Sequence, residues 1–202
     1  MQVLDCEQRS PEWFAARMGI PTASNFKDII TSQSKKASAF DRYANTLVAE
    51  RLMGTPPESF QSDWMARGTE LEPQARAFYE FDRDIDVDDV GFCLLDDGSA
   101  GASPDGLTAT GGLEIKCPAP HTHVEYLGKG KLPAAYVPQV QGCMWICERE
   151  TWDFLSFHPD MPPLLITVQR DDAFIDALAG LIKQLHEKVT DTINRIESRA
   201  AA

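Results

Sequence analysis

Hydrophobic residues recur at helical spacing in the first and last parts of the chain. Pro11 is placed to open a first helix, and Ser24 can cap a second helix that continues through Ile30. Gly54 is placed to end a later helix, and the proline-containing stretch that follows it, 55–62, predicts a loop. The longer helices are predicted at 39–53, 69–81 and 171–199, the last with one continuous apolar face.

Between these helical parts the hydrophobic spacing changes to that of strands. Residues 84–95 alternate between apolar and acidic side chains, which predicts a strand with one solvent-facing side. Short extended runs with glycine turns follow, and they lead into a β-like segment at 113–117. The remaining predictions are a loop at 118–133, a helix at 138–147 and strands at 152–158 and 164–169.

This order of elements predicts an α/β fold, with a central mixed β-sheet flanked by helices. We expect residues 1–202 to form a single domain. Its expected parts are a helical N-terminal part at about 11–81, a sheet-bearing core at about 84–170 and a C-terminal helix at about 171–199.

The composition excludes some classes of protein. The hydrophobic fraction of 43% is typical of a globular chain, and no apolar run reaches the roughly 18 residues of a membrane span. With no export signal at the N-terminus, we expect a cytoplasmic protein whose five scattered cysteines are free and reduced. The formal net charge of −12 argues at first sight against nucleic acid as a partner. A net charge averages over all faces, however, and phosphate binding needs only a local basic lining or metal ions.

Candidate chemistry is concentrated in two neighbouring segments, SPDGL at 103–107 and GLEIKCP at 112–118. On a strand, Glu114 and Lys116 point to one face and Ile115 points to the core. Glycines between the segments allow the chain to turn back, which would set Asp105 beside Glu114. Two carboxylates and the Ile115 carbonyl would then surround an oxygen-preferring cation such as Mg²⁺, with Lys116 on the same face. The alternative is a surface ion pair between Glu114 and Lys116.

These residues carry a family resemblance. Pro104-Asp105 followed by Glu114-x-Lys116 resembles the signature of the PD-(D/E)xK nucleases, and the flanking residues resemble the phage lambda exonuclease (YqaJ-type alkaline exonuclease) branch. Further matching blocks keep the family order from about residue 12 to 150: Trp13…Arg17-x-Gly19…Thr22-Ala23-Ser24, Gly68…Glu72…Ala75-Arg76 and Tyr136…Gln139-Val140-Gln141…Met144-Trp145. The resemblance implies a restriction-endonuclease-like core.

The resemblance also implies residue roles. Metal binding falls to Asp105, Glu114, the Ile115 carbonyl and, as a further carboxylate, Glu72. Lys116 is implied as the catalytic lysine, and Gln139 as an active-site glutamine. A pocket for the 5′-phosphate of a DNA end is implied at Arg17, Ser24 and Ser103.

Several of these residues have simpler interpretations. Thr69-x-x-Glu72 is also a capping box, in which Glu72 closes a helix start. Gln139 fits an inward polar group satisfied by the backbone, although Pro138 places it in the first turn of its helix. Arg17 fits a helix-surface cation, and Ser24 fits an ordinary N-cap.

Several other noticeable residues are not expected to form a metal-binding or base-stacking site. His121 and His123 are expected in an exposed loop, and Trp13 and Trp145 in the core rather than as base-stacking platforms. The acidic run at 82–89 is expected to be a solvated face. It does not fit a calcium loop, because Val87 stands where glycine is needed.

The resemblance implies a metal-dependent exonuclease that uses Mg²⁺, with Mn²⁺ as a possible substitute, and one or two ions. It would digest linear double-stranded DNA 5′ to 3′ from 5′-phosphorylated ends to mononucleotides, leaving 3′ single strands for a single-strand annealing protein. Family members form homotrimers. The alternatives are another PD-(D/E)xK enzyme, such as an endonuclease or junction resolvase, and a non-catalytic module that binds DNA ends or a recombination partner.

Overall fold

The helices begin and end where local chemistry favours it. In this computed structural model, which describes residues 1–55 and 63–201, Ser10 caps the first helix by accepting a hydrogen bond from Trp13 N at 3.2 Å. Asp171 caps the last helix through Phe174 N at 3.0 Å, and Gly54 ends the second with a left-handed φ of 64°. The helices are α1 (Pro11–Arg17), α2 (Phe40–Met53), α3 (Asp63–Arg83), α4 (Pro120–Lys129), α5 (Val137–Ile146) and α6 (Asp172–Ala200).

The described residues form two sheets. The smaller is antiparallel, in the order β1-β2-β3. The larger has the order β4-β5-β6-β7 and is mixed, because β5 and β6 run parallel and the other neighbours antiparallel. The strands are β1 (Gln2–Leu4), β2 (Phe92–Leu94), β3 (Gly101–Ala102), β4 (Gly106–Leu107), β5 (Gly111–Lys116), β6 (Thr151–Ser156) and β7 (Leu164–Gln169). The mixed sheet with flanking helices confirms the predicted fold class.

Strand β5 lies between two layers of helices, with α3 on one side and α5 on the other. Its Leu113 and Ile115 are buried in an apolar cluster with Ala75 and Tyr79 of α3. Burying each of these two side chains contributes about 1.5–3 kcal/mol. A one-residue slip of β5 would exchange them for Glu114, so this packing fixes the register of the strand and the direction in which Glu114 points.

The larger apolar cluster joins α2, α5 and α6 to the smaller sheet and to a 3₁₀ turn at Ala23–Asp28. Trp145, predicted in the core, is half-buried and packs against this cluster. The cysteines are all free thiols, as expected. In the described ranges, no helix combines the length and the hydropathy needed to cross a bilayer.

Three predicted elements are wrong in part. Of the strand predicted at 84–95, only Phe92–Leu94 is a strand, because only these residues find partners in β1 and β3. The acidic residues before it are exposed, as expected, but lie in turn or irregular chain, apart from an isolated bridge between Asp88 and Leu107. The second N-terminal helix is the short 3₁₀ turn, whose N-cap is Thr22, so Ser24 lies inside it and is not its cap.

The loop predicted at 118–133 contains helix α4. Pro120 fits its first turn, and Gly130 ends it with a φ of 58°. His123 lies on this helix and is fully buried, where its ring nitrogens pair with Ser156 Oγ at 2.8 Å and the Pro162 carbonyl at 2.9 Å. The expectation of an exposed loop is therefore wrong for His123, while His121 is exposed but helical. Most of the loop predicted at 55–62 lies outside the described residues.

Candidate active site

Strands β4 and β5 form the predicted hairpin. Gly106 pairs with Leu113 and Leu107 with Gly112, so the same register sets Asp105 opposite Glu114. Asp105 Oδ2 accepts a hydrogen bond from Ile115 N at 2.6 Å. The glycine at 106 is required by close packing, because a Cβ there would lie 2.1 Å from Val87 Cγ1.

Glu114 is the most buried acidic side chain of the site, with 1% of its surface exposed. Its Oε1 accepts hydrogen bonds from Lys116 Nζ and from Gln139 Nε2, the latter at 2.6 Å. Gln139 reaches it from the first turn of α5, in which Pro138 is the second residue. Glu114 Oε2 is buried and has no hydrogen-bond partner among the described residues. A buried carboxylate oxygen without a partner is costly, so this atom is suited to a ligand.

The electrostatics of the site follow from two acids brought together in a low-dielectric environment. Burial and the neighbouring Glu114 raise the pKa of Asp105 to about 7. Burial and Asp105 likewise raise the pKa of Glu72. Burial alone would lower the pKa of Lys116, but Glu114 and Asp105 outweigh it and raise that pKa. The cluster of acidic side chains therefore attracts positive charge.

The residues present fit a divalent cation. Carboxylates, carbonyls and water are the donors that Mg²⁺ and Mn²⁺ prefer, and Mg²⁺ is commonly held by one or two carboxylates with several waters. Asp105 and Glu114 supply two. The N–H and C=O of one strand residue point to the same side, so the Ile115 carbonyl faces the side on which Ile115 N bonds Asp105. In the described residues, no three His, Cys, Asp or Glu side chains converge as a complete ligand set by themselves.

Glu72 lies well inside α3, which begins at Asp63, so Thr69 is not at a helix start and the capping-box interpretation is wrong. Instead Glu72 faces a cleft of about 550 Å³ that Asp105, Ile115 and Lys116 also line. Its Oε2 lies 3.2 Å from Arg9 Nη2.

The three residues of the predicted phosphate pocket converge. Arg17 Nη1 lies 2.9 Å from Ser103 Oγ, and Nη2 lies 3.5 Å from Ser24 Oγ. Arg17 is therefore not a plain surface cation. Burial lowers its pKa to about 10, which leaves it charged at neutral pH. Among the described residues no carboxylate lies within ion-pair distance of Arg17. A half-buried guanidinium held by two hydroxyls is a suitable receptor for an anion.

Trp13 is a part of this pocket that the sequence interpretation missed. It is half-buried rather than in the core, and its indole Nε1 donates to Ser103 Oγ at 2.8 Å. The Arg17 guanidinium carbon lies 3.9 Å from the centre of its ring. The i,i+4 spacing of Trp13 and Arg17 on one helix is a sequence signal that could have predicted this stacking.

Three further residues of the cleft were also missed. Arg9 and Lys27 bring positive charge to its wall, and the Tyr136 ring lies 5.5 Å from Lys116 Nζ. They come from separate parts of the chain, and no local spacing relates them to the hairpin.

Comparison with known proteins adds independent observations. The family model of the YqaJ-like viral recombinase domain matches residues 12–150. The crystal structure of an alkaline exonuclease (LHK-Exo) from Laribacter hongkongensis is 36% identical, covers 95% of this chain and 98% of its own, and gives a TM-score of 0.87. The same exonuclease in complex with dAMP gives 0.86 over the same shares of the two chains, at 36% identity.

A more distant structure shares the fold. The phage-related exonuclease from Haemophilus somnus 129PT is 17% identical, covers 88% of this chain and 96% of its own, and gives a TM-score of 0.71. No curated protein matches the chain.

Proposed function

Because this chain belongs to the YqaJ-like viral recombinase family, we propose that it is a metal-dependent exonuclease of the PD-(D/E)xK type, acting on linear double-stranded DNA. It digests one strand 5′ to 3′ from a 5′-phosphorylated end. The observation that carries the proposal is the closeness of two sites. Ser103 of the Arg17 pocket is two residues from Asp105, so their Cα atoms are at most about 7 Å apart.

This closeness favours removal of one nucleotide at a time. A terminal phosphate held by Arg17 and Ser103 leaves the next phosphodiester beside Asp105 and Glu114. The products would then be mononucleotides. The relative LHK-Exo was solved in complex with dAMP, a nucleoside monophosphate, which agrees with such a product.

The cation is proposed to be Mg²⁺, replaceable by Mn²⁺, as one or two ions held by Asp105, Glu114, the Ile115 carbonyl and Glu72. When bound, it supplies Lewis-acid polarisation of the scissile phosphate and makes water a stronger acid. Gln139 orients Glu114 through its amide hydrogen bond. Lys116 donates hydrogen bonds to the phosphate or to the attacking water. The 5′-phosphate of the DNA end is bound by Arg17, Ser24 and Ser103. This binding fixes which phosphodiester lies beside Asp105 and Glu114.

The biological setting follows from the same proposal. The 3′ single strand that remains would pass to a single-strand annealing protein for recombination in the cytoplasm. We further propose that residues 1–202 form one nuclease domain and that the enzyme is a homotrimer.

The experiment is digestion of linear duplex with Mg²⁺, labelled at the 5′-phosphate to identify the product, and labelled at the 3′ end to compare phosphorylated with dephosphorylated 5′ ends. We expect labelled mononucleotides from the 5′ label at once, much slower digestion of dephosphorylated ends, and no reaction with EDTA. Covalently closed circular DNA is the matched substrate without ends. Rapid cutting of circles would favour an endonuclease or junction resolvase, and unchanged digestion by Lys116→Ala would refute the assigned site.

A further inference from the structure

Two basic side chains form ion pairs with two of the three acidic side chains of the proposed metal site. Lys116 pairs with Glu114 from the same strand. Arg9 pairs with Glu72 at 3.2 Å, although 63 residues separate them in the sequence. The Glu72 side chain is 28% exposed and that of Arg9 is 55% exposed, so this second ion pair lies at the solvent side of the site.

The backbone of Arg9 has a conformation that is uncommon for residues other than glycine. Its φ is 72°, in the left-handed region that suits glycine, within a turn closed by a hydrogen bond from Ser10 N to Glu7 O at 3.1 Å. A residue with a long side chain is uncommon at such a position, and here that side chain is the one that contacts Glu72. The turn directly precedes α1 and points the guanidinium at Glu72.

The ion pair also forms part of a partition between two cavities. Arg9, Glu72 and Asp105 line the cleft of about 550 Å³ and also a second cavity of about 480 Å³. The guanidinium is therefore next to the acids that would bind a cation.

We propose that Arg9 is an internal counter-cation of Glu72 that a divalent cation must displace before Glu72 can act as a ligand. Arg9 thereby weakens cation binding at Glu72 and sets the metal concentration at which the site fills. The inference rests on the proposed metal site and adds a positioning residue to it.

The test is isothermal titration with Mn²⁺ in the absence of DNA. Arg9→Gln removes the competitor, and we expect it to bind Mn²⁺ about two- to fivefold more tightly, the range given by a partly exposed ion pair. Arg9→Lys keeps the charge and should remain within twofold of the wild type. In a Glu72→Gln background, Arg9→Gln should change nothing.

The matched control is Lys27→Gln. Lys27 is an exposed cation that lines the same cleft, and the described residues include no acidic partner for it. Removing it therefore reports the effect of losing one positive charge nearby. Equal tightening by Lys27→Gln and Arg9→Gln would overturn the inference, as would unchanged affinity in Arg9→Gln.

The outcomes separate the inference from the function on which it rests. If the wild type binds no Mn²⁺, the proposed metal site falls and the inference with it. If the wild type binds and Arg9→Gln does not differ, the inference alone falls. Should Arg9→Gln fold poorly, Arg9→Gly removes the same side chain and suits the left-handed turn, and the same tightening is expected of it.

Discussion

The phosphate pocket gives the sharpest test, through Arg17→Ala. Arg17 reaches Ser103 at 2.9 Å and Ser24 at 3.5 Å, and it stacks on Trp13. Replacing it by alanine removes the positive charge and both hydroxyl contacts. A 5′-hydroxyl end presents no phosphate to this pocket. The variant should therefore affect phosphorylated ends and leave dephosphorylated ends nearly unchanged.

The size of the effect follows from the contacts. A hydrogen bond to a charged group contributes about 1.5–3 kcal/mol, and each 1.4 kcal/mol is tenfold in rate or affinity, so we expect a loss of about 10- to 150-fold on phosphorylated ends. Arg17→Lys should recover part of this loss, because an ammonium lacks the planar fork of donors. Lost stacking on Trp13 costs about 0.5–1 kcal/mol of stability, which is too little to unfold the protein.

The assay measures initial rates on the two duplexes, with both enzymes well below saturation by DNA. Arg83→Ala is the control, since Arg83 also bonds a hydroxyl, that of Thr167 at 3.3 Å, but lies outside both the pocket of Arg17 and the cleft. The measured quantity is the loss of rate caused by Arg17→Ala on phosphorylated ends, divided by its loss of rate on dephosphorylated ends. Equal slowing of both duplexes by Arg17→Ala would refute the phosphate pocket and leave a structural role for Arg17.

Three further results are expected from the site and its surroundings. Asp105→Asn should be about 1–2 kcal/mol more stable than the wild type in EDTA, a rise of about 2–8 °C in thermal scans, because it removes one of two adjacent acids and keeps an oxygen for Ile115 N. It should also lose the wild type's Mn²⁺-induced rise in Tm, and a lower Tm in EDTA would contradict this reasoning. Gln139→Ala should slow digestion about 10- to 100-fold and lower the Tm by only a few degrees, since it removes the amide partner of Glu114 but leaves Lys116 on the same oxygen, and an unchanged rate would remove that role. His123→Ala should cost about 2–4 kcal/mol in urea unfolding, because it leaves a cavity and unpaired buried groups, while exposed His121→Ala should cost less than about 0.5, and equal costs would contradict the burial argument.

Local patterns predicted the elements that depend on local chemistry. The amphipathic helix α6 and the helix α2 ending at Gly54 appear where spacing and capping predicted them. Strand pairing depends on partners far along the chain, so alternation at 84–95 predicted more strand than exists. Helix α4 was missed because its face is completed by β6, against which His123 is buried.

The candidate site divides in the same way. Asp105 and Glu114 are separated by one turn, and glycines on either side of that turn fix their pairing, so the sequence alone indicated them. Arg17 and Ser103 are 86 residues apart, and only the fold brings their side chains together. For these the prediction came from resemblance to a family rather than from spacing.

The sequence by itself determined the nuclease signature, the hairpin that pairs its acids, and the long helices α2 and α6, because each depends on residues close together in the chain. The tertiary structure decided that Glu72 faces the cleft instead of capping a helix, that Trp13 donates a hydrogen bond to Ser103 over 90 residues, and that Arg9 pairs with Glu72 over 63 residues. Such contacts depend on how α1, α3 and the sheets pack against one another. No periodicity within a single segment carries that information.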